Sequence, residues 1–188
     1  IEPLYATYWK GFDDEAKYWR KKLGRGHARR ARIDSYLQFY LTAQLRQEVA
    51  AGHLYTVFRD QLMKLEDNPE QQLAHLQRYA EIYQGFDHMA PGTEEARFFE
   101  RLEALNLTSP YPFLMDLFIL MDGQVEERRE ILRDVESFLV RRMICQLSTR
   151  GYNRLFIDLL NALHSQEGTE VERVRAFLAS SVAESTRW

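Results

Sequence analysis

The sequence predicts an all-α fold, an irregular bundle of about nine to ten helices with no sheet. Three observations lead there. Apolar residues recur at helical spacing along nearly the whole chain. No stretch of four to eight residues alternates in the strand manner. Only 9 of the 188 residues are Gly and 5 are Pro, too few for a loop-rich β sandwich.

The elements follow in order. Leu4, Tyr5, Tyr8 and Trp9 predict an opening helix. Asp13-Asp14 suit the N-terminus of a second, which runs to about Leu23 and ends at Gly24-Arg25-Gly26. A third covers about Ala28 to Arg46, with Ile33, Leu37, Tyr40 or Leu41, and Leu45 inward. A fourth starts near Gly52 and uses Leu54, Val57, Phe58 and Leu62. Pro69 opens a fifth, carrying Leu73, Leu76, Tyr79, Ala80 and Tyr83. Residues 85–92 form a loop. Thr93 then caps a helix with Phe98, Phe99, Leu102 and Leu105 on its inner face. Ser109-Pro110 opens the next, with Leu114, Leu117, Phe118 and Met121 inward, and Asp122-Gly123 turns the chain. A long helix runs from about Val125 to Gln146 on Ile131, Leu132, Val135, Phe138, Leu139 and Met143. Ser148-Thr149 caps a helix with Leu155, Phe156, Leu159, Leu160 and Leu163 inward. Gly168-Thr169 precedes a last one with Val171, Val174, Phe177 and Leu178.

One helical domain over residues 1–188 is expected, with a sub-boundary near 85–92. The chain opens on Ile1 and enters a helix at once, so a fragment of a longer protein is expected. The opening residues lack the features of a signal peptide. The richest apolar run, Phe113 to Met121, is broken by Asp116 and falls short of the ~18 residues a membrane span needs. With one cysteine, Cys145, no intramolecular disulfide forms, and a cytoplasmic setting is expected. Its neighbours Met143, Ile144 and Leu147 place Cys145 in the core.

Catalytic patterns are sparse. A metal site on helices needs ligands three or four residues apart. None of His27, His53, His75, His88 and His164 has a ligand at those positions before it, and His164 with Glu167 lies at a helix end beside Gly168. No metal or cofactor is expected in this chain. Gly24-x-Gly26 follows no strand and has Arg29 where a dinucleotide fingerprint needs its third Gly.

The charge distribution says more. Lys and Arg number 25 against 28 Asp and Glu, a formal net charge of −3. Yet Lys17, Arg20, Lys21, Lys22, Arg25, Arg29, Arg30 and Arg32 lie in one stretch with no acid among them. Such a segment makes a local positive patch that net charge hides. Arg20, Lys21, Lys22, Arg25, His27, Arg29, Arg30 and Arg32 are the candidate phosphate contacts, since guanidinium groups fork onto phosphate oxygens. A solvated face set against an acidic neighbouring domain is the other reading of the same run. A second group comprises Arg141, Arg142, Arg150 and Arg154. One of Arg141 and Arg142 is expected there in a structural pair, with Asp134, Glu136 or Asp158 as partner, ahead of ligand contact. Trp9, Trp19, Tyr8 and Tyr18, near the first stretch, are weighed as core before base-stacking platforms.

Two segments carry a resemblance. One is Tyr18-Trp19-Arg20-Lys21 with Arg29-Arg30-Ala31-Arg32-Ile33-Asp34-Ser35-Tyr36-Leu37-Gln38-Phe39-Tyr40-Leu41-Thr42, closed by Gly52-His53-Leu54-Tyr55. The other is Glu136-Ser137-Phe138-Leu139-Val140-Arg141-Arg142-Met143-Ile144-Cys145, then Leu147-Ser148-Thr149 and Tyr152-Asn153-Arg154-Leu155-Phe156. Together they resemble the helical region of the bacterial domain-of-unknown-function family found in GmrSD- and SspE-type, modification-dependent restriction proteins, which act against phage DNA. The resemblance covers about Trp9 to Leu163.

Members of that family carry a nucleotide-handling domain with an Asp-Gly-Gln-Gln-Arg motif, and many end in an HNH-type nuclease. This chain resembles neither part. Its Asp122-Gly123-Gln124 continues as Val125-Glu126 and reads as a turn. The resemblance implies a non-catalytic helical module of a larger defence protein, whose parent is a nucleotide-dependent endonuclease. Nucleotide and divalent metal would then belong to other domains. Its partners would be neighbouring domains of the same chain and DNA, with no membrane; association with a second copy stays open. Arg141, Arg142, Thr149, Tyr152 and Asn153 are motif positions, read as structural. A module that only joins proteins, without nucleic-acid contact, is the alternative.

Overall fold

The computed structural model describes residues 5–24, 29–60 and 68–185. The expected roles of Leu4, Arg25, Gly26, His27, Ala28 and Leu62 lie outside the described residues. The chain is 72% helical, with ten helices and one two-stranded ladder among the described residues. It divides into two compact units, Ile1–Gln84 and Gly85–Trp188.

The first unit opens on a π-helical turn, Tyr5–Trp9, continuing into α1 (Lys10–Asp14) and α2 (Ala16–Trp19). Asp13 and Asp14 therefore end a helix instead of starting one. Helical geometry breaks at Glu15, where ψ is 35°. The chain then extends: β1 (Lys22–Leu23) pairs antiparallel with β2 (Arg30–Ala31). This small sheet replaces the helical ends expected to reach Leu23 and to begin at Ala28. Two residues per strand are too few for an alternation to show in sequence.

From Ala31, extended at ψ 146°, the chain enters α3 (Arg32–Leu45). α3 ends where Arg46 turns left-handed at φ 51° and its N–H bonds the Thr42 carbonyl at 2.9 Å. α4 (Leu54–Asp60) buries none of its residues, whereas α5 (Pro69–Asp87) buries Gln72, Leu76, Tyr79, Ala80, Tyr83 and Phe86.

The inner face of α3 differs from the expected stripe. Tyr36 and Tyr40 are buried with Leu41, while Ile33, Leu37 and Leu45 are half-buried. Aromatic rings win this face because they bury more surface and find partners for their hydroxyls. Tyr36 donates to the Leu76 carbonyl, and Tyr40 Oη lies 3.2 Å from His75 Nδ1. Around them Trp19 sits 4.9 Å from Phe12 and 5.3 Å from Tyr36, ring centre to ring centre, and Tyr36 5.6 Å from Tyr83. Burial raises the Tyr36 phenol well above its ordinary value.

The second unit takes the last turn of α5 and then α6 (Glu94–Ala104), α7 (Tyr111–Leu120), α8 (Val125–Ile144), α9 (Tyr152–Leu163) and α10 (Glu170–Ser185). Thr93 caps α6 as expected, its Oγ1 accepting from the Ala96 N–H at 3.2 Å. Thr169 and Glu172 form a reciprocal capping box on α10. That backbone bond lowers the Glu172 carboxyl below its ordinary range.

α7 is buried on every side from Pro112 to Phe118 and packs on α9; α10 packs on α8 and α9, and α6 on α8. Phe113, Leu114, Leu117, Ile131, Val135, Phe156, Leu159, Leu160 and Val174 fill this core. No described helix is long and apolar enough to cross a membrane.

Arginine–carboxylate pairs lie along α8. Arg129 meets Glu95 at 2.9 Å, Arg133 meets Glu94 at 3.0 Å, and Arg101 meets Glu136. From α10, Arg175 reaches Glu130 and Asp134. Burial alone would raise the Glu95 carboxyl, but its own backbone N–H and Arg129 outweigh that and hold it low.

Candidate nucleic-acid interface

The first basic stretch folds into the β1–β2 hairpin and its flanks. The pairing sets Lys22 opposite Ala31 and Leu23 opposite Arg30. Cross-strand partners share a face, and successive residues point to opposite faces. Lys22 and Arg30 therefore stand on opposite faces of the ladder. The Arg32 N–H extends the pairing by bonding the Lys21 carbonyl at 2.8 Å. Gly24, at φ 89°, turns the chain out of β1 into a region that favours glycine.

Lys17, Arg20, Lys21, Lys22, Arg29 and Arg30 are all exposed. Arg20 lies 3.7 Å from Asp13 with three-quarters of its side chain in solvent, so that pair holds it weakly. Among the described residues, the other five have no carboxylate in ion-pair range.

Arg32 departs from the expectation. It is 8% exposed, and its guanidinium carbon lies 4.0 Å from the centre of the Tyr18 ring. Cation–π contact of this kind fixes the side chain to the scaffold, at the exit of the hairpin. Trp19 is core, as expected; Tyr8, Trp9 and Tyr18 are half-buried.

The second motif builds the junction between α8 and α9. α8 ends at Ile144, short of the expected Gln146. There the Leu147 N–H bonds the Arg142 carbonyl at 2.9 Å and the Gln146 N–H bonds the Met143 carbonyl at 3.0 Å, with Gln146 at φ 53°. This Schellman closure ends the helix and redirects the chain. Met143, expected inward, is 51% exposed, and Ile144 is 71% exposed. Cys145 is exposed as well, which corrects its expected place in the core.

Among the described residues Arg142 takes no carboxylate. Its guanidinium carbon lies 5.5 Å from the Phe138 ring and 5.4 Å from the Tyr152 ring, and Nη2 donates to the Ser148 carbonyl at 3.3 Å. The three acids expected as partners are occupied: Asp134 by Arg175, Glu136 by Arg101 and Asp158 by Arg154. Arg141 is exposed, and Tyr152 is 4% exposed.

The N-cap of α9 is Gly151, at φ 82°, and not Ser148-Thr149. Thr149 instead accepts the Tyr152 N–H on its carbonyl at 3.1 Å, and Ser148 Oγ accepts the Arg150 N–H at 3.1 Å. Asn153 stands inside the helix, where its Oδ1 accepts from Ser109 Oγ at 2.6 Å.

One buried polar contact had no local signal in the sequence. Asp116, on buried α7, pairs with His164 Nε2 at the end of α9. Its partner stands 48 residues away. No group of three or more His, Cys, Asp or Glu that would hold a metal occurs among the described residues. No family model, no curated protein and no solved structure matches the chain.

Proposed function

We propose that the chain is the non-catalytic helical module of a GmrSD-type anti-phage restriction protein. In that role it contacts DNA phosphates through the β1–β2 hairpin. Relay between a nucleotide-handling domain and a nuclease domain of the same parent protein is the other role proposed, beside that contact or in its place. The observation that carries the phosphate contact is the set of exposed cations Lys21, Lys22, Arg29 and Arg30, none with a carboxylate in range among the described residues. Surface cations that neutralise nothing within the fold are free to displace the counterions of a polyanion. The family identity rests on the two quoted segments.

A second reading, a module that only joins proteins, is favoured by the exposed Met143 and Ile144.

Duplex DNA binding across a salt series separates the two. Arg29→Ala with Arg30→Ala should weaken binding at low salt. It should also make the slope of log K against log salt shallower by about two. No binding by the wild-type chain at low salt would overturn direct DNA contact and leave the protein-joining reading.

A further inference from the structure

The α8–α9 junction carries a charge anomaly. No Asp or Glu occurs between Glu136 and Asp158, while Arg141, Arg142, Arg150 and Arg154 do. Elsewhere in this unit Arg101, Arg129, Arg133, Arg173 and Arg175 each meet a carboxylate, while Arg97 and Arg128 donate to the Gly92 and Met121 carbonyls. Among the described residues, only Arg154 at the junction meets one, Asp158 at 2.9 Å. Among the described residues Arg141, Arg142 and Arg150 have no carboxylate in range.

The fold itself accounts for part of this. Arg141 and Arg142 stand in the last turn of α8, where a cation suits the negative end of the helix. It does not account for Arg150, which lies just before α9, where positive charge is opposed. Arg142 and Arg150 meet at one residue, and Arg141 precedes Arg142 in the last turn of α8. The Arg142 guanidinium and the Arg150 N–H both bond Ser148, one on its carbonyl and one on its hydroxyl. Arg142, stacked and half-buried with Nε lacking an acceptor, is a positioning residue that holds the loop to α8.

We infer that Arg141 and Arg150 form a second phosphate-binding surface, separate from the hairpin. The ligand class is the phosphate group of a nucleic-acid backbone or a nucleotide. Guanidinium forks match phosphate oxygens, and all four cations of the segment are arginines. An acidic protein face would also meet arginine. Met143, Ile144 and Cys145, exposed beside these arginines, are the apolar side chains that the protein-joining reading uses. Charge dominates this surface, which suits a polyanion.

The test titrates the full chain with a short DNA duplex, and separately with inorganic tripolyphosphate, over a salt series. Arg141→Ala with Arg150→Ala is expected to make the DNA salt slope shallower by about two. Arg141→Lys with Arg150→Lys should restore the slope. Both residues are exposed, so both variants should keep the wild-type circular dichroism spectrum and melting temperature. A loss confined to DNA assigns the surface to a nucleic-acid backbone, and an equal loss of tripolyphosphate binding assigns it to a free nucleotide. Unchanged binding of both probes by the alanine variant would overturn the proposal, as would its loss in a variant that no longer folds while the lysine variant binds no better. The Arg29→Ala, Arg30→Ala pair run alongside reports on the hairpin alone.

Discussion

Residues 17–32 and 137–157 are both free of Asp and Glu, yet the fold frames their cations differently. The first run becomes a hairpin. Strand alternation sends Lys22 and Arg30 to opposite faces, and Arg32 is drawn under Tyr18. The second becomes the closure of one helix and the entry to the next. There Arg142 is stacked on two rings, while Arg141 and Arg150 stay in solvent. In each run one arginine is held by aromatic contact and one meets a carboxylate, Arg20 with Asp13 and Arg154 with Asp158, while the other described cations have none in range. An acid-free run in sequence therefore marks a surface, but its length overstates the number of cations a ligand can meet.

The two units are also held differently, and this can be broken selectively. The largest effect is expected in the first. Trp19 is 2% exposed and touches Phe12, Tyr36 and Tyr83. Trp19→Ala should cost about 3–5 kcal/mol in chemical denaturation. Because α2 leads directly into β1, the hairpin's share of DNA binding should fall with it. A smaller loss, about 1 kcal/mol, is expected for Tyr36→Phe, which removes only the hydroxyl bonded to the Leu76 carbonyl. A loss as large as that of Trp19→Ala would show that the hydroxyl, not the ring, organises the cluster.

The second unit holds the buried Glu95 carboxylate against Arg129, so acid should sharpen the contrast. The folded Glu95 carboxyl lies below its ordinary 4.5. Its contribution is therefore complete above that value and is lost as pH falls through the lower folded one. Melting temperature should drop over that acidic interval in the wild type, and less in Glu95→Gln. Equal pH profiles would contradict this assignment.

How far the sequence reveals this arrangement varies along the chain. The aliphatic faces of α7, α8 and α9 repeat at helical spacing, and Leu114, Ile131, Val135 and Leu160 fall where the spacing puts them. Thr93 is legible as a cap because its bond is local. Three features were not legible. The β1–β2 ladder is too short to alternate. Met143 and Cys145 keep the helical register of a core stripe, but both are exposed where α8 closes in a Schellman turn on Gln146, which carries no obvious stop signal. Asp116 meets His164 only through the packing of α7 against α9. The first basic stretch stands out in the sequence by its lack of acids, whereas the second reads there as the site of a structural pair. What the residues could not show was which of them another side chain would claim, because Tyr18 and Tyr152 act through tertiary contact.

The most direct measurement is a duplex-DNA salt series on four proteins: wild type, the Arg29→Ala, Arg30→Ala pair, the Arg141→Ala, Arg150→Ala pair, and all four changes together. If both surfaces meet phosphate, each pair makes the slope shallower by about two, and the combined variant by about the sum. A wild-type slope retained in all three variants would contradict the account.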